Sequence, residues 1–134
     1  MPVLMIYLAA EPADPDSRQR LLTEAGLAIA ETLDTPIERT RVFVLTAGHA
    51  AAGGQVVPPG GLGAPFFVCC VSAHRPAERR TELLARLTDV IEQTLNVDRS
   101  VIRGWAAPTE PDAWAVAGIP LSVARADEIH ERER

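Results

Sequence analysis

The residue that could carry out the most distinctive chemistry is Pro2, which directly follows the initiator methionine. If Met1 is removed, the Pro2 nitrogen becomes a secondary amine, whereas the same nitrogen inside a chain is an amide without basicity. An α-amino group has an unperturbed pKa of ~7.7–8.0, and an apolar pocket or a neighbouring cation lowers it further. Pro2 is therefore a candidate neutral base at physiological pH. The alternative is that proline merely follows methionine, as it does in many proteins, and a retained Met1 would remove the base altogether.

The cysteines and histidines do not suggest a second chemical centre. Cys69 and Cys70 are adjacent in an apolar run, so on a strand they point to opposite faces and make a poor structural disulfide. We interpret them as reduced core residues, with a reactive thiol as the less favoured alternative. The histidines His49, His74 and His130 have no metal-ligand spacing among themselves or with the cysteines. The sequence therefore predicts no metal.

Composition and charge indicate a small globular protein. The chain has 134 residues, of which 47% are hydrophobic, and this suits one domain with a core. Its net charge of -5 excludes a basic surface for nucleic acid or for an acidic membrane. No apolar run approaches the ~20 residues of a membrane span, and the start of the chain lacks the cationic region of a signal peptide. We expect a cytoplasmic protein whose partner is a small molecule or another copy of itself.

The first third of the chain predicts a strand, a helix and a second strand. Residues 1–8 form an apolar run typical of a buried strand, and residues 41–45 predict the second strand. Asp14 followed by Pro15 is a helix-start signal, and the helix should end before residues 34–36. Its predicted apolar stripe consists of Leu22, Gly26, Ile29 and Leu33. A strand, helix and strand in so few residues predict a right-handed βαβ unit with parallel strands.

The same pattern returns after a segment rich in glycine and proline. Residues 47–64 lack the Gly-Lys-Ser/Thr of a phosphate loop and predict a hairpin and linker. Residues 65–71 then predict a strand opened by a proline, and residues 101–107 predict a fourth strand. The helix between them has a predicted stripe of Leu84, Leu87, Ile91 and Leu95. Because Leu95 matches Leu33 and Arg103 matches Arg41 at the same offset of 62 residues, the chain contains an internal duplication.

This duplication predicts an α+β fold in a single domain, residues 1–134. Two pseudo-symmetric βαβ units, about residues 2–46 and 65–107, would form a four-stranded sheet with both helices on one face. The opposite face would be left uncovered, and self-association is an economical way to bury it. Residues 114–121 predict a small hairpin. The charged residues 124–134 predict a solvated last helix or a frayed end.

A duplicated βαβ unit in which each half opens with a proline resembles the tautomerase superfamily, whose members use an amino-terminal proline as catalytic base or acid. Residues 2–42 are similar to 4-oxalocrotonate tautomerase (4-OT) over almost its whole length. The fused length resembles the long-chain branch of cis-3-chloroacrylic acid dehalogenase (cis-CaaD) and malonate semialdehyde decarboxylase. The resemblance covers nearly the whole chain. It implies a tautomerase/MIF-like fold and a homotrimer that buries the open sheet faces.

The resemblance also implies which residues form a site. Pro2 corresponds to the catalytic proline. Arg75 corresponds to the first of two arginines that bind the substrate carboxylate, with Arg79 or Arg80 as the second after a one-residue insertion. Arg41 matches the arginine that polarises the substrate carbonyl in the short tautomerases. A guanidinium suits these roles, because it binds a carboxylate bidentately and stabilises the charge of a developing enolate.

Three further residues are implied to line the substrate pocket: His74, Trp105 and Trp114. Three of the arginine assignments and both tryptophan assignments have a plainer alternative. Arg41 could form a salt bridge at the end of its strand, and Arg79 and Arg80 could belong to an exposed helix face. Both tryptophans could be core residues.

Two departures from the dehalogenase pattern bear on the reaction. The water-activating glutamate of that enzyme corresponds to Val116, with Glu110 and Asp112 only nearby, and its helix histidine corresponds to Ala30. Without these two groups, the enzyme has no base in the expected place to activate water for addition to an unsaturated acid. Hydrolytic dehalogenation is therefore disfavoured. The decarboxylase's aspartate falls at residues 38–39. Decarboxylation is therefore a weaker alternative that stays open.

The resulting hypothesis is a tautomerase that acts on small 2-oxo or enol carboxylic acids. No cofactor is expected, because the oxo acid serves as its own electron sink. One alternative is a hydratase, dehalogenase or decarboxylase of small unsaturated or 3-oxo acids, with Glu110 or Asp112 replacing the missing base. The other is a catalytically silent trimeric scaffold, which a retained Met1 would favour.

Overall fold

The computed structural model describes the backbone of residues 2–133 and the side chains of residues 2–131. Met1, whose removal would free the Pro2 nitrogen, lies outside the described residues, as does Arg134. Within residues 2–133, no helix combines the length and the apolar character needed to span a bilayer.

The first half of the chain forms the predicted βαβ unit followed by a hairpin. Its elements are β1 (Val3–Leu8), α1 (Pro15–Leu33), β2 (Arg41–Thr46), β3 (Ala51–Ala52) and β4 (Gln55–Val56). Strands β1 and β2 are parallel. The Asp14 side chain accepts a hydrogen bond from the Asp16 amide and caps α1, and Asp34 ends the helix in the left-handed conformation. Both helix boundaries agree with the prediction.

The second half repeats this plan and adds a short helical tail. Its elements are β5 (Phe66–Ser72), α2 (Ala77–Leu95), β6 (Arg103–Thr109), β7 (Ala115–Val116), β8 (Ile119–Pro120), α3 (Leu121–Ala124) and α4 (Ala126–Glu133). Strand β6 begins two residues later than predicted, because Arg99–Val101 form a 3-10 turn. A 3-10 turn also precedes β2, over Ile37–Arg39. The predicted hairpin at 114–121 and the helical alternative for the tail are both confirmed.

The main sheet has the strand order β2-β1-β5-β6, with β1 antiparallel to β5 and each half internally parallel. The core lies between this sheet and the two long helices. Its largest fully buried residues include Leu4, Ile6, Leu8, Leu21, Ile29, Leu33, Phe67, Leu83, Leu87 and Ile91. In both helices the first predicted stripe residue is displaced by one position: Leu21 and Leu83 are fully buried, whereas Leu22 and Leu84 are only partly buried.

The opposite sheet face is apolar and uncovered in the single chain, as predicted. Strand register places Phe43, Met5, Val68 and Trp105 in one row across all four strands. At the two ends of this row, Phe43 is 51% exposed and Trp105 is 57% exposed. These two residues occupy equivalent positions in the two halves, so the internal symmetry extends to the open face.

The duplication extends to individual hydrogen bonds. The Arg41 amide donates to the Pro2 carbonyl at 3.2 Å, and the Arg103 amide donates to the Pro65 carbonyl at 3.1 Å. Each arginine side chain also donates to two carbonyls of the turn that precedes its strand. The prolines are 63 residues apart and the arginines 62, because the stretch from the proline to the start of the helix is one residue shorter in the second half.

Candidate functional site

The antiparallel pairing of β1 with β5 brings the ends of these strands together. Val3 pairs with Cys70, so Pro2 at the start of β1 lies at the same end of the sheet as the carboxyl end of β5. The chain continues from that strand into His74 and Arg75. We call this end of the sheet the Pro2 end, and the opposite end, where Pro65 precedes β5, the Pro65 end.

Pro2 is buried at its end of the sheet. Along β1 the partly buried residues alternate with buried ones, so Pro2 belongs to the same face as Leu4, the face covered by the helices. Its carbonyl accepts the amide of Arg41, which fixes the start of β1 against β2. The sequence placed a possible base at this residue, and the structure surrounds that residue with protein rather than water.

Arg41 is exposed and begins the neighbouring strand. Its Nη1 donates to the carbonyls of Glu38 at 3.0 Å and of Thr40 at 2.9 Å. Among residues 2–131 it has no ion pair with a carboxylate, so the predicted alternative of a strand-end salt bridge is not what the structure shows. The side chain is held by backbone carbonyls, which leave its positive charge uncompensated.

Arg75 and Arg80 are linked to each other and to the end of α1. Arg75 Nη1 donates to the carbonyl of Leu33, one of the last carbonyls of that helix. A cation at this position also complements the helix dipole. Arg80 Nη1 donates to the Arg75 carbonyl at 2.9 Å. The two guanidinium groups are therefore anchored at the Pro2 end.

Arg79 is placed differently from Arg80. It forms an ion pair with Glu82 at 3.4 Å, and both side chains are about half exposed on the outer face of α2. The sequence could not choose between Arg79 and Arg80 as the second carboxylate-binding arginine. Their positions favour Arg80, since its side chain points back toward Arg75.

His74 borders a small cavity of about 150 Å³ at the same end of the sheet. Glu110, Asp112 and His130 also line this cavity. The two carboxylates considered as replacements for a missing water base therefore lie beside His74. Within residues 2–131 no group of three or more histidine, cysteine, aspartate or glutamate side chains is arranged to hold a metal ion.

The two predicted pocket tryptophans are separated from each other. Trp105 lies on the edge strand β6 opposite Val68, on the open sheet face rather than at the Pro2 end. Trp114 is partly buried at the base of the β7–β8 hairpin, where its carbonyl accepts the amide of Leu121 at 2.8 Å. Of the eight predicted site residues, Trp105 thus lies away from the Pro2 end, and Arg79 faces outward from the first turn of α2.

The C-terminal helices cover the Pro2 end, which the sequence analysis did not foresee. Leu121 and Ile129 are buried, and Arg39 forms an ion pair with Glu128 at 2.8 Å. Beneath this cover, a cavity of only about 10 Å³ is lined by Thr35, Arg39, Ser72, Arg75, Leu121, Arg125, Glu128 and Ile129. Three arginines therefore converge on one enclosed space. The sequence feature that could have indicated these covering helices is the four-residue spacing of Leu121, Arg125 and Ile129. The many charged residues of the tail obscure it.

A wider groove of about 360 Å³ lies outside this enclosed space. Thr35, Arg39 and Glu128 line both the groove and the small cavity. The Arg39–Glu128 ion pair therefore stands where the groove meets the enclosed arginines.

The cysteines do not add a reactive centre. Cys69 is fully buried in the core, and both cysteines are free thiols. Burial raises the pKa of the Cys69 thiol to about 12, with a smaller contribution from Cys70. A thiol with this pKa is almost entirely protonated at neutral pH and is a poor nucleophile. Cys69 is therefore a core residue, as the sequence indicated.

The comparisons with known proteins agree at the level of the fold. No protein-family model matches the sequence, and no curated protein matches it either. Among solved structures, Pt0534 inactivated by 2-oxo-3-pentynoate is 22% identical with a TM-score of 0.81, covering 91% of this chain and 98% of that one. The F6 fused 4-OT wild-type asymmetric trimer is 21% identical with a TM-score of 0.79, covering 92% and 97%. Macrophage migration inhibitory factor of Toxoplasma gondii is 21% identical with a TM-score of 0.73, covering 88% and 98%.

These likenesses show that the chain has the fold common to fused 4-OT and macrophage migration inhibitory factor structures. The predicted tautomerase/MIF-like architecture is therefore confirmed. The closer relation to the cis-CaaD branch stays a prediction.

Proposed function

We propose that this protein is a tautomerase-superfamily enzyme that isomerises small 2-oxo or enol carboxylic acids, with Pro2 as the proton carrier. The observation that supports the proposal best is that a buried Pro2 lies at the same end of the sheet as Arg75 and Arg80. The fold is shared with fused 4-OT structures, and one structure of that fold was obtained after inactivation by a 2-oxo acid.

The proposed reaction needs only proton transfer. After removal of Met1, the neutral Pro2 amine takes the proton from an enol hydroxyl and leaves an enolate. The electron pair of the enolate carbon–carbon double bond then takes the proton from the Pro2 ammonium at carbon as the oxygen lone pair forms the carbonyl, and the amine is regenerated. Burial of Pro2 disfavours the charged form of the amine and so keeps the base available.

The arginines supply binding and charge stabilisation. In the proposed complex Arg75 and Arg80 hold the substrate carboxylate, while Arg41 polarises the carbonyl as negative charge develops on it. Arg75 is already bonded to Leu33, and Arg80 to Arg75, so both guanidinium groups are ordered before the substrate arrives. Such preorganisation lowers the entropic cost of binding.

Access to Arg75 from the outer groove would require movement of the C-terminal helix, because Arg75 lines the enclosed cavity and not the groove. The enclosed cavity of about 10 Å³ is too small for an oxo acid, whereas the outer groove of about 360 Å³ is large enough. We therefore propose that α4 shifts and that the Arg39–Glu128 ion pair opens when the substrate enters.

We also propose a homotrimer. One structural neighbour is a fused 4-OT trimer, and the row from Phe43 to Trp105 is an apolar surface that a second copy would bury. In such an assembly Trp105 could line a pocket that it does not reach within its own chain. Light scattering coupled to size-exclusion chromatography measures the oligomeric state, and a monomeric mass would refute this part of the proposal.

The deciding experiment follows the ultraviolet decay of an arylenolpyruvate with protein whose N-terminus has been processed naturally. Intact mass first establishes whether Met1 has been removed. Fast ketonisation that Pro2→Ala abolishes supports the proposal. Equal, slow decay with both proteins would refute it for this substrate class and favour the silent scaffold.

A second candidate is a hydratase or lyase of small unsaturated acids. The observation in its favour is the cavity of about 150 Å³ that places Glu110 and Asp112 beside His74. Either carboxylate could activate water there. This candidate predicts that Glu110→Gln or Asp112→Asn lowers hydration of an unsaturated acid but leaves ketonisation unchanged.

A further inference from the structure

The Pro65 end contains a cavity of about 520 Å³ that the proposed reaction does not use. The β3–β4 hairpin residues 51–53, together with Pro65, Phe66 and Val101, form the apolar part of its walls, and about half of the wall surface is polar. Arg103 is the one charged residue among those that line it. Its volume lies within the range of ordinary small-molecule sites, roughly 300–1,000 Å³.

Arg103 is prepared to bind an anion. Its Nη1 donates to the carbonyls of Ser100 at 2.6 Å and of Ile102 at 3.2 Å, so that part of the guanidinium is fixed. Within residues 2–131, no carboxylate forms an ion pair with it. An oriented guanidinium without an acidic partner among these residues, beside the apolar side chains of Phe66 and Val101, suits the carboxylate of a ligand with an apolar body.

We infer that the Pro65 end is a second binding site, which takes a small monocarboxylate with an apolar body and does not turn it over. Arg103 binds the carboxylate, and Phe66 and Val101 contact the apolar body. The Pro65 nitrogen is an internal tertiary amide, so this end has no proline base. The inference does not depend on the chemistry proposed for Pro2.

The test is a titration of the full chain with 3-phenylpropionate, followed by backbone amide NMR shifts. This probe has no keto–enol chemistry and therefore reports binding alone. We expect saturable shifts centred on Phe66 and Val101. Arg103→Gln should weaken this binding at least about 10-fold, whereas the equivalent substitution Arg41→Gln should leave it unchanged.

Two further measurements separate the possible outcomes. The neutral analogue 3-phenylpropionamide should bind at least about 10-fold more weakly, because it lacks the charge that Arg103 recognises. Ala64→Leu, which adds volume at the cavity wall, should weaken the binding of 3-phenylpropionate. The amide shifts of residues away from the cavity should show that the fold is unchanged.

Absence of saturable shifts at the Pro65 end, or equal affinity in Arg103→Gln, would overturn the inference. Ketonisation measured on the same sample tests the proposed function separately.

Discussion

The two ends of the sheet are built on one plan and differ in what covers them. At each end a proline carbonyl accepts the amide of an arginine, and that arginine donates to one carbonyl of the preceding 3-10 turn and to the carbonyl of the residue that follows the turn. The Pro2 end is closed by the C-terminal helices over a cavity of about 10 Å³, whereas the Pro65 end opens into about 520 Å³ under a hairpin. The repeated unit therefore supplies the framework, and the segments added after each unit decide how much space remains.

Charge distinguishes the two ends as well. Arg39, Arg75 and Arg125 share the Pro2 end with Glu128, so a carboxylate from the chain itself already lies among the arginines. At the Pro65 end Arg103 has no acidic partner within the described side chains. The comparison suggests that one end is built for regulated access and the other for simple binding.

The largest expected effect separates the two prolines. Pro2→Ala should lower kcat/KM for ketonisation by about 100-fold or more, the usual contribution of a positioned general base. Pro65→Ala should change kcat/KM by less than about 2-fold, because its nitrogen is an amide in both proteins. Steady-state ultraviolet kinetics on naturally processed protein measures both. Comparable losses in the two variants would indicate a structural role for the prolines.

A second contrast between the halves concerns β6 and β2. Gly104 lies opposite Phe67, and a Cβ atom at Gly104 would clash with the Phe67 ring. Gly104→Ala should therefore lower the free energy of unfolding by about 2 kcal/mol, as overpacking does in other cores. The equivalent residue of the first half is Val42, which already has a branched side chain. Urea denaturation measures the difference, and an unchanged midpoint would show that the ring moves without cost.

A smaller effect is expected from the arginines of α2. Arg80→Gln should raise KM for an oxo acid by about 10-fold, because it removes a charged hydrogen bond to the substrate carboxylate. Arg79→Gln is the matched control, since it removes the same charge from the exposed side of the same helix turn. We expect less than a 2-fold change in KM for the control. A larger effect of Arg79→Gln would place the second carboxylate contact on the outer face of α2.

The strands and helices of the two βαβ units were predictable, because helix caps and strand patterns are set by residues that are close together in the sequence. The Asp14-Pro15 start, the left-handed Asp34 and Asn96 ends and the repeated strand patterns all specify structure within a few positions. The apolar stripes were misplaced at one residue in each helix, since periodicity fixes the face of a helix less sharply than packing does. Leu21 and Leu83 lie nearer the centre of the buried face than their neighbours.

The cover of the Pro2 end was not predictable in the same way. It depends on contacts between segments that are far apart in sequence, such as the Arg39–Glu128 pair, which joins residues 89 positions apart. The many charges of α4 indicated a solvated helix, whereas one buried residue, Ile129, holds its inner side against the domain. Cavity volumes likewise result from packing rather than from composition.

The smallest expected effect concerns the Arg39–Glu128 ion pair, which holds α4 over the Pro2 end. The Arg39–Glu128 pair is partly exposed, at 27% and 36%, and such pairs contribute at most about 1 kcal/mol. Glu128→Gln should therefore ease the opening of α4 and lower KM by about 2-fold to 5-fold, with kcat unchanged. The matched control is Glu31→Gln, which breaks the ion pair of Glu31 with Arg86 at 2.8 Å between α1 and α2. The control should leave KM unaltered. If Glu128→Gln raises KM instead, Glu128 helps to bind the substrate, and α4 is a wall of the site rather than its cover.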